Sequence, residues 1–453
     1  MRYSAYIGSY TSGGGHGIYR LEFDPESGEI SAANAAKTPN PSYLLYSADR
    51  TALFAANESA EWGGKPGGGI TAYAVGEGGA LVETASYPAG GEASCHLGIY
   101  GGFLFAANYG DGTVSGFPLG SGGNVPGPCA ILHRHEGGGP DKSRQAGPHA
   151  HCAMPVPKSG ELCAVDLGID QARFYRLGGA GGAPDGDALE LVQAVQAPPG
   201  SGPRHIVFSP CGKLAWLVTE LSNEVLSLAR GADGGGGGAG ADAGGSSAGT
   251  GAGANGQGSA SGGNTGSNAG TGAGGSGRGA GGQGSAAKSS GWLGNSAAAG
   301  ENAVSSSGAG TGTGAGTGTG TGASTDAGTG AGTDGGGSWR ITGRYPALPA
   351  GYAGASSCAA IRRSPDGKLI VASNRGHDSV AVFSADGRTG ALEPLGIYPT
   401  GGKAPRDVAF TPDGKWLLAA NQDSDLITIL SVEGGFGLLE LKQPVSKPVS
   451  ILF

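Results

Sequence analysis

Six times along this chain the same order of signals returns, and a unit repeated at so regular a spacing leaves few folds open. An apolar strand, a turn such as SPDGK or TPDGK, a second strand ending in a polar residue, a short polar loop and a third strand follow one another. These units begin at Pro41, Ser94, His149, Gly202, Ser356 and Ala404. A fourth, less regular strand comes after, as in LEPLGIYPT from Leu392. Four antiparallel strands in roughly 50 residues describe a propeller blade. The N-terminal YSAYIGSYTSGGGHGIYRLEF reads as second and third strands lacking a first, and the C-terminal KPVSILF as a first strand with nothing after it. Joined, they make a seventh blade and remove the free sheet edges of the ring. The expected fold is all-β, a seven-bladed β-propeller closed by pairing of the N- and C-terminal strands.

One stretch does not fit the repeat. Residues 232–338 are almost entirely Gly, Ala, Ser and Thr, with Trp292, Leu293 and Val304 nearly alone as apolar side chains. Such a segment buries too little surface to offset its ordering entropy, so a disordered insert within one blade is expected. The remaining chain, about 350 residues, suffices for one propeller domain. The insert follows the third strand of the unit from Gly202, and WRITGRYPALP from Trp339 supplies the fourth. That loop opens on the face away from the starts of first strands, so the insert is expected to be remote from any site there.

The formal net charge is -8 and the chain has no run of Lys or Arg, which excludes a nucleic-acid or membrane-surface partner. No stretch approaches the apolar length of a membrane span, and MRYSAYIGSYTSGG has no basic region followed by an apolar core, so a cytoplasmic location is expected. The six cysteines show no CxxC spacing and read as free thiols. A monomer or a weak homo-oligomer is expected.

Propeller geometry sorts the polar residues. His96, His149, His151, Arg204, His205 and Arg406 stand at starts of first strands, and Glu58, Glu220, Arg375 and His377 at ends of second strands. All belong to one face, and five of the eight histidines fall in the set. Arg204 and Glu220 are near-opposite across one hairpin, where cross-strand Cβ atoms lie about 5 Å apart. They form either an ion pair or half of an active site. Asn57, Asn108, Asn374 and Asn421 also end second strands, and are read as caps of inter-blade turns. His149-Ala-His151 is the one metal-like spacing, since alternate strand residues share a face. Few carboxylates accompany it and its neighbours are arginines, so no metal and no cofactor is expected.

These motifs resemble the seven-bladed propeller lactonases, typified by the bacterial 6-phosphogluconolactonase of that fold and similar to the fungal muconate lactonizing enzymes. The resemblance rests on YIGSYT at Tyr6, NPSYL at Asn40, CHL at Cys95, ANYGDGTV at Ala107, RQAGPHAH at Arg144, GPRH at Gly202 and TELSNEV at Thr219. SNRGHDS at Ser373, PRD at Pro405 and ANQDSD at Ala420 extend it beyond the insert. It implies catalytic positions at a histidine of PHAH, with His149 preferred over His151, and at Arg204, Glu220 and Arg375. Two departures stand out: Thr219 precedes Glu220 where Asn is usual, and Asp166 replaces a more common Asn.

The resemblance implies a small-molecule substrate, a sugar lactone and most readily 6-phosphogluconolactone of the pentose phosphate pathway. Hydrolysis of such an ester needs a base for water and positive charge where the oxyanion develops. Glu220 or His149 would be the base, and Arg204 and Arg375 the charge. His96, His151, His205, His377, Arg406 and Glu58 would line the substrate site, with Lys65 and Arg144 adding charge from long loops. A muconate-type cycloisomerase and a non-enzymatic scaffold are the other readings, the scaffold favoured only if the Arg/His/Glu cluster is dispersed in space.

Overall fold

A computed structural model describes residues 1–120, 128–178, 188–231 and 337–453. Residues 1–237 and 332–453 form one compact unit, and a second, 238–331, lies wholly outside the described residues. The expected disorder of the insert, and its position, likewise fall outside them.

Among the described residues the first unit holds seven four-stranded antiparallel sheets and one small two-stranded hairpin. Blade 1 runs from Pro41–Tyr46, its first strand, to Leu81–Pro88, its fourth; blade 2 from Ser94–Tyr100 to Ile131–Arg134; and blade 3 from Ala150–Val156 to Leu189–Gln196. Blade 4 runs from Pro203–Phe208 to Trp339–Pro346, blade 5 from Ser357–Arg363 to Leu392–Pro399, and blade 6 from Pro405–Phe410 to Gly437–Pro444. Blade 7 is assembled from both ends of the chain. Its first strand is Pro448–Leu452, which pairs with Tyr3–Ser9 as Tyr6 with Leu452 and Ile7 with Ile451. Each first strand neighbours the next around the ring, and that of blade 7 neighbours those of blades 6 and 1, so the ring is closed.

The core lies between the blades. Seven apolar clusters each join two neighbouring blades: Phe54 and Ile70 of blade 1 meet Leu97 and Phe117 of blade 2, and Phe174 of blade 3 meets Ile206 and Trp339 of blade 4. The period of two along each strand produces this, because it gives every sheet two apolar faces for its two neighbours. Near the axis the wedge narrows and small residues are required. A Cβ on Gly8 would overlap the Pro41 carbonyl of the next blade, and one on Gly98 the Ala153 carbonyl.

The insert interrupts the connection between the third and fourth strands of blade 4, as its sequence position implies. The blade reaches further into that stretch than composition suggests. Gly231 N–H donates to the Ser338 carbonyl at 3.0 Å and Arg230 Nε to the Gly337 carbonyl at 2.8 Å, so Gly337 and Ser338 belong to the hairpin. Arg230 is fastened from below by the buried Glu161 at 2.8 Å. Arg230 pairs directly with Trp339, at the end of the strand away from Thr219 and Glu224. Replacing 232–336 by a four-residue Gly/Ser turn is therefore expected to preserve fold and activity. By loop-closure entropy it raises unfolding free energy by up to about 3 kcal/mol. Urea melts of the two proteins measure it, and a large loss of stability would show that the insert supports the blade.

Candidate active site at the channel mouth

A bulge in the first strand, not plain strand alternation, builds the site. In blades 1, 2, 3, 4 and 6 the register with the second strand slips by one residue at the second position of the first strand, freeing Ser42, Cys95, His151, Arg204 and Arg406 from pairing. A bulge re-aims the freed side chain. Three of these residues, His151, Arg204 and Arg406, belong to the charged cluster.

Glu220 is their centre. It lies just past the end of its strand, 5% exposed, with its N–H on the Gly202 carbonyl at 2.7 Å. Its carboxylate receives Arg204 Nε at 3.0 Å, an Arg375 guanidinium nitrogen at 3.1 Å and an Arg144 one at 2.6 Å, with His151 Nε2 at 3.9 Å. Burial alone raises this carboxyl's pKa, but Arg375, Arg204 and the other neighbouring groups outweigh it and hold it well below the usual range. A second ion pair stands nearby: Arg406 reaches Glu58 at 3.2 Å, Tyr10 donates to the same carboxylate oxygen at 2.7 Å, and the guanidinium lies over the Tyr10 ring.

The histidines divide into three groups. His96, His151 and His205 are buried, with ring centroids 5.1 Å apart for His96 and His205 and 5.3 Å for His151 and His205. Desolvation first, and Arg204 with it, push His151 and His205 well below their ordinary pKa; burial with Arg362 and Arg204 lowers His96 to about 3. All three are neutral at pH 7. His149 is only half-buried and stacks on Tyr109 at 4.6 Å, while Tyr109 meets His151 edge-on at 5.2 Å. Its Nδ1 lies 2.7 Å from the Tyr109 carbonyl. A carbonyl only accepts, so Nδ1 carries hydrogen and Nε2 keeps its lone pair in the neutral ring. His377 stands apart, bonded to Ser379 at 2.7 Å and packed on Tyr352.

Of the metal-like pair, His149 precedes the strand and His151 occupies the bulge, and both rings lie against Tyr109. Among the described residues no three His, Cys, Asp or Glu side chains are grouped to hold a metal. Lys65 lies in a small exposed hairpin, Glu61–Trp62 with Lys65–Pro66. Arg144, by contrast, is a full member of the Glu220 cluster. Its loop position left only its charge as a signal in the sequence. Arg362 pairs with Asp407 at 2.6 Å; Asp407 ends the PRD motif, whereas Arg362 had no signal in the sequence. The strand-ending asparagines are buried and bond Thr, Ser or backbone at the turns: Asn57 to Pro39, Asn108 to Thr113, Asn374 to Ala347 and Asn421 to Thr428. Thr219 closes the same turn through Ser222 and Glu224. Asp166 gains His135, whose Nδ1 lies 2.7 Å away and whose Nε2 meets Tyr175.

Charge counting defines what the mouth can hold. Four guanidiniums, Arg144, Arg204, Arg375 and Arg406, face two carboxylates, Glu220 and Glu58, with the adjacent histidines neutral. Two positive charges are in excess among the described residues, and Arg375 Nε is buried without a hydrogen-bond partner. Uncompensated buried charge is costly, so the arrangement favours an anion.

The neutral histidines also make stability depend on acid. Their folded pKa values lie below the value of about 6.5 for an exposed imidazole, so below that pH the unfolded chain binds protons that the folded one refuses. Near pH 5 unfolding should take up as many as ~3 protons, lowering stability by about 4 kcal/mol per pH unit. Urea unfolding from pH 7.5 to 5 measures the slope; a flat profile would mean the histidines are charged in the folded state.

All six cysteines are free thiols, and among the described residues no helix is long and apolar enough to cross a membrane. The family described as "Lactonase, 7-bladed beta-propeller" matches residues 4–236 and 332–453, which is every blade. The 6-phosphogluconolactonase of Bacillus subtilis is 36% identical over 231 residues, 50% of this chain and 62% of that protein, so the match spans about three-fifths of the relative's length. An uncharacterized protein of Lactococcus lactis is 25% identical over 90% of this chain and 86% of its own. A solved structure from Bacteroides uniformis, provisionally named a 6-phosphogluconolactonase, is 26% identical with a TM-score of 0.69, covering 100% of this chain and 99% of that one. On its blades, its closure and this match, the chain belongs to the seven-bladed β-propeller lactonase family.

Proposed function

We propose that the channel mouth hydrolyses a sugar lactone carrying a phosphate, with 6-phosphogluconolactone the best fit. The observation that carries this reading is the convergence of Arg144, Arg204 and Arg375 on one buried carboxylate with two positive charges to spare, in a chain of net charge -8. A locally positive mouth in an acidic protein draws an anionic substrate, and guanidinium donors match phosphate and carboxylate oxygens. The gathered cluster also weighs against a scaffold. The Bacillus relative's name supports the same substrate. Phosphate esters do not cross membranes unaided, which supports a cytoplasmic place of action.

His149 is the base. Its Nε2 takes a proton from water as the water oxygen attacks the lactone carbonyl, and Arg204 and Arg375 stabilise the oxyanion. Collapse of the tetrahedral intermediate breaks the bond to the ring oxygen, which takes the proton back from His149, giving the open hydroxy acid. Glu220, held by three arginines and strongly acidic, is a poor base. Its role is to fix the guanidiniums. Because those groups supply the positive charge, the rate should be unchanged by EDTA. The test is hydrolysis of freshly prepared 6-phosphoglucono-δ-lactone above its spontaneous rate, beside unphosphorylated gluconolactone and muconate. Turnover of muconate alone would make the protein a cycloisomerase, and turnover of none would remove the enzymatic reading.

A further inference from the structure

We propose that Gln145 and Asp170 are positioning residues that set Arg144 against Glu220, an inference that rests on the proposed hydrolase site. Asp170 occupies the turn after the second strand of blade 3, 2% exposed, in the left-handed region at φ 55. Its Oδ2 accepts from Gly200 N–H at 2.7 Å and its Oδ1 from Gly202 N–H at 2.8 Å. Gly202 in turn accepts the N–H of Glu220, and Arg204 is two residues on. The same Oδ1 accepts Gln145 Nε2 at 2.8 Å, and Arg144 is the residue just before Gln145. One buried carboxylate therefore bonds within two residues of three charges that meet at the site.

The turn bond itself recurs in blades 5 and 6. Asp378 accepts from Ala404 and Asp425 from Lys447 in the same way, each tying a turn to the strand entry of the following blade. What blade 3 adds is Gln145, fully buried, which also donates to the Leu167 carbonyl at 2.8 Å and accepts from Asp141 N–H at 3.2 Å. These bonds lock the loop from Gly139 to Gln145, which carries Arg144 on a partly exposed stem whose guanidinium also donates to the Tyr109 hydroxyl at 3.4 Å. An arginine so placed holds its guanidinium without losing freedom when substrate arrives.

The experiment is a double-mutant cycle on KM for 6-phosphoglucono-δ-lactone. Gln145→Ala and Arg144→Ala should each raise KM about 10-fold with kcat within about 3-fold, and the double variant should be no worse than Arg144→Ala alone. Asp425→Ala, which breaks the equivalent turn bond before a strand carrying no site residue, should leave both constants unchanged. Additive losses, or an unchanged KM in Gln145→Ala, would overturn the positioning role and leave Gln145 a packing residue. If the wild type hydrolyses no lactone, the hydrolase reading fails by itself. Calorimetric binding of inorganic phosphate then takes the place of KM, with the same criterion of non-additivity. A wild type that neither hydrolyses lactone nor binds phosphate overturns both.

Discussion

His149→Ala is expected to lower kcat by about 10²- to 10⁴-fold with little change in KM, the range for removing a positioned general base. The expectation follows from the division of labour at the mouth. His149 is bonded to the Tyr109 carbonyl and stacked on the Tyr109 ring, outside the arginine cluster. Its loss therefore leaves the anion-binding charges in place and affects the proton transfer. His151, 4% exposed and with its pKa driven down by burial and Arg204, is a weaker base in a poorer position to meet bulk water. Steady-state kinetics of wild type and variant from pH 5 to 9 decide the matter. A variant retaining full kcat would move the base to His151.

The fold was legible because the repeat is written in local chemistry: apolar runs of strand length, Pro/Gly turns and incomplete units at the two termini. Those signals depend on neighbours in sequence. Arg204, Glu220 and Arg375 were legible for the same reason, since the start of a first strand and the end of a second are fixed once the unit is known. What could not be read were contacts that cross blades. The bulge that frees His151 and Arg204 shows no residue pattern distinct from a regular strand, so simple alternation misses how these two side chains are aimed. Asp166 was visible as a departure from Asn, but its reason, His135 at 2.7 Å from the preceding inter-blade loop, needs the folded ring. Arg144 sits in a loop without periodicity, so its charge was evident and its partner was not.

Glu220→Ala should destabilise the protein by about 3–5 kcal/mol, the usual cost of leaving buried charge without its partner. Arg204 is 2% exposed and has no other carboxylate within its hydrogen bonds; its remaining bonds go to the Ala359 carbonyl and the His205 ring. Burial first, then Arg375 and Arg406, already lower its pKa to about 10. Removing Glu220 takes away the main opposing charge and raises the local excess from two positive charges to three. Glu220→Gln keeps the volume and one acceptor oxygen, but it removes the charge and turns the other oxygen into an NH2 donor, so Arg144 or the Arg204 and Arg375 pair also loses its acceptor. The pH dependence carries a definite sign. A carboxyl held below its unfolded value of about 4.3 stabilises fully above that value and loses its contribution only as pH falls through the folded pKa. The deficit of Glu220→Gln should therefore be constant from pH 8 down to about 5 and shrink only in strong acid. Added phosphate discriminates further: an anion in the place that Glu220→Ala empties binds the folded state alone and restores about 2.7 kcal/mol at 100 times its dissociation constant. Urea melts with and without phosphate measure both effects. Should Glu220→Ala prove as stable as wild type and gain nothing from phosphate, the arginines are neutralised elsewhere, and the site does not hold the charge excess on which anion binding depends.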